Sequence, residues 1–239
     1  MKSTFRDEHS TQVEAIRNQR LHFLRQISRA VGMFVGIMGL AFQGVALAGS
    51  EGPSPAIRIR VNNYTPASPA VLAGAEREAA RILSAAGLRT IWLDCPVEHS
   101  ISTTQAPCEE ALETSDIVLR VVSESTQNKF QDTVFGFAVH PILASVYYEY
   151  PMRLAVGDNA EFELPIILGC VIAHELGHLL LGSNSHSGSG IMQPRWERKQ
   201  VHQAMTGAML FTPAQSKHIQ TEAQSRMSLR TARLGDGGS

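Results

Sequence analysis

The sequence predicts an α+β domain in which one sheet packs against helices. Its 239 residues are 44% hydrophobic and 18% charged, so the chain is long and apolar enough to bury a core. Apolar residues recur with the two-residue period of strands in some segments and the 3.6-residue period of helices in others. These patterns run as a strand, a helix, several strands and then helices, an order typical of a sheet covered by helices.

Five segments have the composition or alternation of strands. Residues 56–61 alternate apolar and polar side chains, as in a half-buried strand. Gly136 and the prolines near the last two segments favour a position at the sheet edge for both of them. The remaining predicted strands are 90–94, 116–122, 134–139 and 144–148.

Four segments predict helices. Residues 69–87 end at Gly87, a stop signal, and residues 165–181 are apolar nearly all round, which predicts a buried helix. A polar helical stretch begins at about Trp196. A last helix begins at Thr212, because a Thr N-cap is followed by Pro at the first helical position and Gln at the third.

The N-terminal segment 1–48 has the features of an export signal. A basic front, residues 1–29, precedes an apolar run, residues 30–48, that ends in Ala-Leu-Ala. We expect a signal peptide cleaved after Ala48, or alternatively a membrane anchor, since 19 residues span roughly 28 Å as a helix. Either way the domain would work outside the cytoplasm, secreted, periplasmic or tethered to the membrane. Residues 49–55 predict a linker, 56–234 the domain and 235–239 a disordered tail.

Charge and cysteine content restrict the possible partners. With 21 Lys and Arg against 22 Asp and Glu, the formal net charge is −1, which argues against a general nucleic-acid binder. We expect a monomer.

In an oxidising compartment Cys95 and Cys108, which bracket a polar loop, could form a disulfide, whereas Cys170 lies in an apolar stretch typical of a buried thiol.

One segment concentrates the chemistry. His174-Glu175-Leu176-Gly177-His178 fits the pattern His-Glu-x-x-His within the predicted apolar helix. Residues four apart share a helix face, so both imidazoles can bind one metal ion, with Glu175 beside it as a general base. A catalytic zinc ion needs a third protein ligand. Gly182 can end the helix and turn the chain, which brings His186 within reach as that ligand.

The segment resembles the metzincin clan of zinc endopeptidases, and most closely its matrixin branch. The clan's signature, His-Glu-x-x-His-x-x-Gly-x-x-His followed by a turn containing methionine, corresponds here to the three histidines, Glu175, Gly182 and Met192. Pro194, two residues after Met192, has a matrixin-like placement. The spacing departs from the signature by one extra residue before the glycine and one before the last histidine.

The resemblance implies a fold and an activity. The fold would be a twisted, mostly parallel sheet with an antiparallel edge strand, packed on the long active-site helix. One catalytic Zn²⁺ would activate water, with Glu175 as the base, to hydrolyse a peptide or protein substrate. Phe137, Ala138 and Val139 would form the edge strand along which the substrate lies.

Two other functions fit the same residues. A gluzincin-type peptidase would use Glu197 as the third ligand, although Gly190 and Pro194 interrupt the second helix that such enzymes need. A zinc-stabilised binding module outside the cytoplasm would bind through the edge strand without catalysing a reaction. Glu175 argues against the module, because a purely structural site has no use for that carboxylate.

Overall fold

The computed structural model describes residues 55–97, 106–123, 135–155 and 159–236. The predicted signal or anchor segment, all of the linker except Pro55, and the last three residues of the predicted tail lie outside these ranges.

A five-stranded sheet forms the centre of the described part of the chain. Its order is β2-β1-β3-β5-β4. All neighbouring strands are parallel except β4, which runs antiparallel to β5 at one edge. This confirms the predicted mostly parallel sheet with an antiparallel edge strand. The strands are β1 Ala56–Asn63, β2 Arg89–Asp94, β3 Asp116–Val122, β4 Gly136–Val139 and β5 Leu143–Tyr147.

The sequence prediction placed the last two strands together near the sheet edge, and only β4 lies there. β5 lies between β3 and β4 and is hydrogen-bonded on both sides. Its residues Ala144, Ser145 and Val146 are buried, as expected for an inner strand. The proline signal therefore marks the turn between the two strands rather than an edge position for both.

Helices cover one face of the sheet. Ile57, Ile59 and Val61 of β1 point to that face and belong to the hydrophobic core, as the two-residue alternation predicts. The helices are α1 Pro69–Ala85, α2 Ala106–Glu109, α3 Glu149–Leu154, α4 Ala160–Leu181, α5 Arg198–Met205 and α6 Pro213–Asp236. The short helices α2 and α3 were not predicted from the sequence, because neither is long enough to show a helical period.

Helix α4 is the central element of the core. It begins at Ala160, five residues before the predicted start, so Pro165 lies inside the helix. Proline there removes only the bond to a carbonyl of the first turn. By length and composition α4 could cross a membrane, yet 72% of its most apolar window is buried inside the fold. Burial in this core accounts for its apolar surface.

Close contact between α1 and α4 depends on a glycine. A Cβ added at Gly169 would lie 2.5 Å from the backbone oxygen of Ala75 and 2.6 Å from the Cβ of Glu78. Both distances are shorter than real Cβ contacts, so only glycine allows the two helices to approach this closely.

The opposite face of β1 carries a buried ionic network. The Asp116 carboxylate accepts hydrogen bonds from Arg58 at 2.9 and 3.0 Å and from Arg60 at 2.9 Å. Arg60 also donates to the backbone carbonyls of Cys108 and Glu110. The network therefore fixes the segment that follows the disulfide, in which Cys95 and Cys108 are bonded with Cα atoms 5.6 Å apart.

The last helix extends beyond its predicted end. α6 starts at Pro213, with the Thr212 hydroxyl accepting from the backbone N–H of Gln215. It continues to Asp236, and so includes the first two residues of the segment 235–239 that was predicted to be a disordered tail.

Candidate metal centre

Helix α4 presents two imidazoles on one face near its C-terminal end. His174 is 1% exposed, and its Nε2 lies 3.1 Å from the Nε2 of His178. The four-residue spacing produces this approach, because successive residues of that spacing lie one above the other on a helix. Two ring nitrogens thus meet at the wall of a cavity.

A third imidazole comes from the loop after α4. Gly182 ends the helix with a φ of 94° and donates its N–H to the His178 carbonyl at 3.1 Å. A positive φ is readily adopted by glycine and rarely by other residues. The loop then folds back and places the His186 ring centroid 4.8 Å from that of His178.

The extra residues of the histidine motif do not separate its ligands. The potential ligand nitrogens of His174, His178 and His186 all lie within 4.8 Å of one another. One of the extra residues falls before Gly182, where the helix continues to Leu181. The other falls in the loop between Gly182 and His186, and His186 is itself exposed. Because both positions are at or beyond the end of the helix, the additions leave His174 and His178 undisturbed.

Hydrogen bonds to the distal ring nitrogens orient the two helical histidines. His174 Nδ1 lies 2.8 Å from the carbonyl oxygen of Ile191, and His178 Nδ1 lies 3.0 Å from the hydroxyl of Ser185. A carbonyl only accepts, so His174 Nδ1 carries the proton and Nε2 keeps its lone pair. Ser185 and Ile191 thus hold the rings of His178 and His174 in orientation, a role that the sequence motif did not identify.

The donor set fits a zinc ion. Two nitrogen ligands at about 2.0–2.1 Å from a tetrahedral zinc ion are roughly 3.3–3.4 Å apart, close to the 3.1 Å between the Nε2 atoms of His174 and His178. The lone pair of His174 Nε2 faces the Nε2 of His178 in a buried site. Burying two facing lone pairs costs free energy unless a proton or a cation lies between the two nitrogens. Three histidines with one remaining position match a catalytic zinc site.

Burial sets the protonation of these groups. It lowers the pKa of His174 to about 3, helped by the neighbouring His178 and His186 and opposed by the hydrogen bond to Ile191. It also lowers the pKa of His178 and of His186. Neutral imidazole is the form that binds metal, so the fold favours the binding form of all three.

Glu175 lies beside the three histidines. Its side chain is 3% exposed, and it lines the same cavity as the three imidazoles. Burial raises the pKa of its carboxyl to about 8, which places it in the range of a proton acceptor and donor near neutral pH.

Met192 lies against α4 at Gly177, the residue before His178. It is fully buried, and a Cβ added at Gly177 would lie only 2.6 Å from its Sδ. The Met192 carbonyl accepts from the N–H of Ser187 at 2.9 Å. This bond closes the loop that carries His186, so Met192 connects α4 to the segment of the third histidine.

Aromatic packing holds the walls of the cavity together. The Phe135 ring lies 4.6 Å from the His174 ring and 4.7 Å from that of Trp196. Phe135 directly precedes the edge strand β4, and Trp196 follows the methionine turn. These contacts between segments far apart in sequence could not be predicted from either segment alone.

The cavity is bounded by the edge strand. Its volume is about 460 Å³, and Phe137 and Ala138 of β4 line it together with the histidines and Glu175. Phe137 is 41% and Val139 52% exposed, but Val139 is not part of the lining. In the described sheet β4 has a neighbour on one side only, so its free edge can accept an extended chain.

Glu197 has another role. Its side chain accepts from the backbone N–H of Gln200, whose own side chain accepts from the Glu197 N–H. This reciprocal cap starts α5, and Glu197 is not in the cluster of ligand atoms formed by the three histidines. The structure therefore does not favour Glu197 as the third ligand.

Comparison with known proteins finds similarity among solved structures alone. No protein-family profile matches the sequence, and no curated protein matches it either. An archaemetzincin from Methanopyrus kandleri is similar with a TM-score of 0.44 and 16% identity, over 70% of this chain and 96% of that one. A zinc-dependent peptidase from Methanocorpusculum labreanum has a TM-score of 0.47 and 14% identity, over 67% and 99%.

Proposed function

We propose that this protein is a zinc-dependent endopeptidase. The observation that carries the proposal is the convergence of three imidazoles, whose potential ligand nitrogens lie within 4.8 Å of one another, on a cavity that also contains the buried carboxyl of Glu175. An open side formed by an unpaired strand edge fits a polypeptide that continues in both directions.

The residues of the site have separate tasks. His174, His178 and His186 would hold the ion, which when bound supplies Lewis acidity toward a substrate carbonyl and acidifies water. Glu175 accepts a proton from the attacking water and later donates it to the leaving amine. The edge of β4 aligns the substrate backbone, and Met192 packs against α4 at Gly177.

Two finer assignments belong to the same proposal. Pro194 two residues after Met192 supports a place in the matrixin branch of the metzincins. The basic and apolar N-terminal segments support export, with residues 30–48 either removed or kept as a tether, so the substrate would be a peptide or protein outside the cytoplasm.

Metal analysis and hydrolysis by the purified full chain test the proposal. We expect one zinc ion per chain and cleavage of unfolded casein that a chelator abolishes. Glu175→Gln should keep the zinc and lose activity by about 10²–10⁴-fold, the usual contribution of a general base, whereas His186→Ala should lose both. A fully active Glu175→Gln variant would refute the assigned base, and a wild type that binds no zinc would refute the site.

A zinc-stabilised binding module is the remaining alternative. It predicts zinc-loaded wild type that hydrolyses no peptide, and therefore no difference in hydrolysis between wild type and Glu175→Gln. The buried position of Glu175 favours the enzyme, because a carboxyl that contributes no ligand to the metal still has to be desolvated.

A further inference from the structure

We propose that Arg195 selects substrates that carry a carboxylate side chain beside the scissile bond, an inference that rests on the proposed peptidase function. Arg195 is exposed and lines the cavity together with the three histidines and Glu175. It thereby adds a permanent positive charge to the wall that a bound peptide would face.

Of the two charged side chains that line the cavity in the described part of the chain, the positive one is exposed and the acidic one is buried. Among the described residues that line it, Arg195 is the one lysine or arginine and Glu175 the one carboxylic acid. Glu175 is almost completely buried, whereas no described acidic side chain lies within ion-pair distance of Arg195. The guanidinium is thus available to a ligand, and a metal dication would add to the positive potential.

The backbone that carries Arg195 is held in place. On its C-terminal side, the Trp196 ring is buried against Phe135, and its Nε1 donates to the Gln193 carbonyl at 3.2 Å. On its N-terminal side, the Gln193 side chain donates to the Gly190 carbonyl at 3.0 Å. These contacts on both sides of residue 195 hold its backbone at the wall of the cavity that the histidines also line.

The chemistry of guanidinium indicates the ligand. Its planar array of donors matches a carboxylate, often with two parallel hydrogen bonds. Ion pairs at an exposed site are weak and are screened by salt. At the peptide position that faces Arg195, we therefore expect kcat/KM to be about three- to tenfold higher for Asp than for Asn. This preference should decrease between 50 mM and 500 mM NaCl.

Competition among defined peptides tests the proposal with the full chain. The probes are N-acetylated, C-amidated heptapeptides of Ala, Leu and Ser in which one inner position carries Asp, Asn or Lys, scanned along the peptide. Relative cleavage by zinc-loaded wild type gives ratios of kcat/KM, read by mass spectrometry. The fraction of each peptide that the Glu175→Gln variant retains measures binding without turnover.

Three variants give the matched comparison. Arg195→Gln should remove the preference for Asp, and Arg195→Glu should invert it in favour of Lys, both with unchanged zinc content. Arg198→Gln removes an arginine only three residues away that does not line the cavity, and it should retain the preference. Because Arg195 is exposed, its replacement should not alter the unfolding temperature.

The outcomes separate this inference from the peptidase assignment. Cleavage without a preference for Asp, or with a preference that survives Arg195→Gln, overturns the role of Arg195 and leaves the peptidase intact. Absence of cleavage together with Arg195-dependent retention of the Asp peptides overturns the peptidase and supports the role of Arg195 in binding. Equal retention of all three peptide classes overturns that role irrespective of cleavage.

Discussion

Replacing Ser185 by Ala tests whether the loop after α4 tunes the metal site through His178. The Ser185 hydroxyl lies 3.0 Å from His178 Nδ1, on the opposite side of the ring from the nitrogen that faces His174. Alanine removes this hydrogen bond but leaves all three histidines in the chain. We expect weaker zinc binding without loss of the fold.

The size of the effect follows from the position of the bond. A neutral hydrogen bond contributes about 0.5–1.5 kcal/mol, which corresponds to roughly a 2- to 12-fold change in affinity at 1.4 kcal/mol per factor of ten. Second-layer partners of metal-binding histidines are worth about 10- to 100-fold when buried. Ser185 and His178 are only partly buried, so water can replace part of the bond. We therefore expect zinc affinity to fall about 3- to 10-fold.

Competition with a fluorescent zinc chelator of known affinity measures the change. Ser183→Ala is the matched control, because Ser183 lies in the same loop and lines the cavity but makes no hydrogen bond to a histidine within the described structure. Equal zinc affinity for Ser185→Ala and wild type, with His178→Ala binding no zinc, would show that Ser185 does not support the ligand.

Two further predictions concern the scaffold. Asp116→Asn should lower the free energy of unfolding by about 3–5 kcal/mol, because it leaves the buried Arg60 guanidinium without its counterion and Arg58 with Glu110 alone. Burial opposes ionisation, but hydrogen bonds from Arg58 and Arg60 give a net lowering of the Asp116 pKa. The stabilisation by ionised Asp116 should persist above about pH 4 and be lost as pH falls further toward the folded-state pKa. Urea unfolding should therefore show that the difference in unfolding free energy between wild type and Asp116→Asn becomes smaller below about pH 4. Gly169→Ala should lower the unfolding free energy by about 1–2 kcal/mol, since the clash with the Ala75 carbonyl outweighs the better helix propensity of alanine; an unchanged midpoint of thermal unfolding would contradict this.

The local parts of the site could be predicted from the sequence. The spacing of His174 and His178 determines their common face once the segment is helical, and Gly182 is the residue type that allows the chain to turn back. These relations involve residues close together in the chain. The strand and helix periods likewise predicted the regular elements, with β3 matching its predicted bounds, Asp116–Val122.

Long-range contacts could not be predicted in the same way. The carbonyl that orients His174 belongs to Ile191, 17 residues away, and a backbone acceptor leaves no mark in the side-chain sequence. The position of Pro165 inside α4 was also missed, because proline is most often found at the first helical position. Here burial of the following apolar turns outweighs one lost hydrogen bond.

An element that contributes nothing to the lining of the cavity connects two elements that do. Arg226 of α6 is 4% exposed, and its guanidinium donates to the Leu179 carbonyl and the Pro141 carbonyl, both at 2.9 Å. Leu179 follows His178, and Pro141 lies in the turn between β4 and β5. One buried cation, paired with Glu222 at 2.9 Å, therefore fixes the end of the histidine helix relative to the edge strand. Because the charge-assisted bond to Leu179 also satisfies an acceptor at a helix end, α6 holds together the two walls between which a peptide would lie.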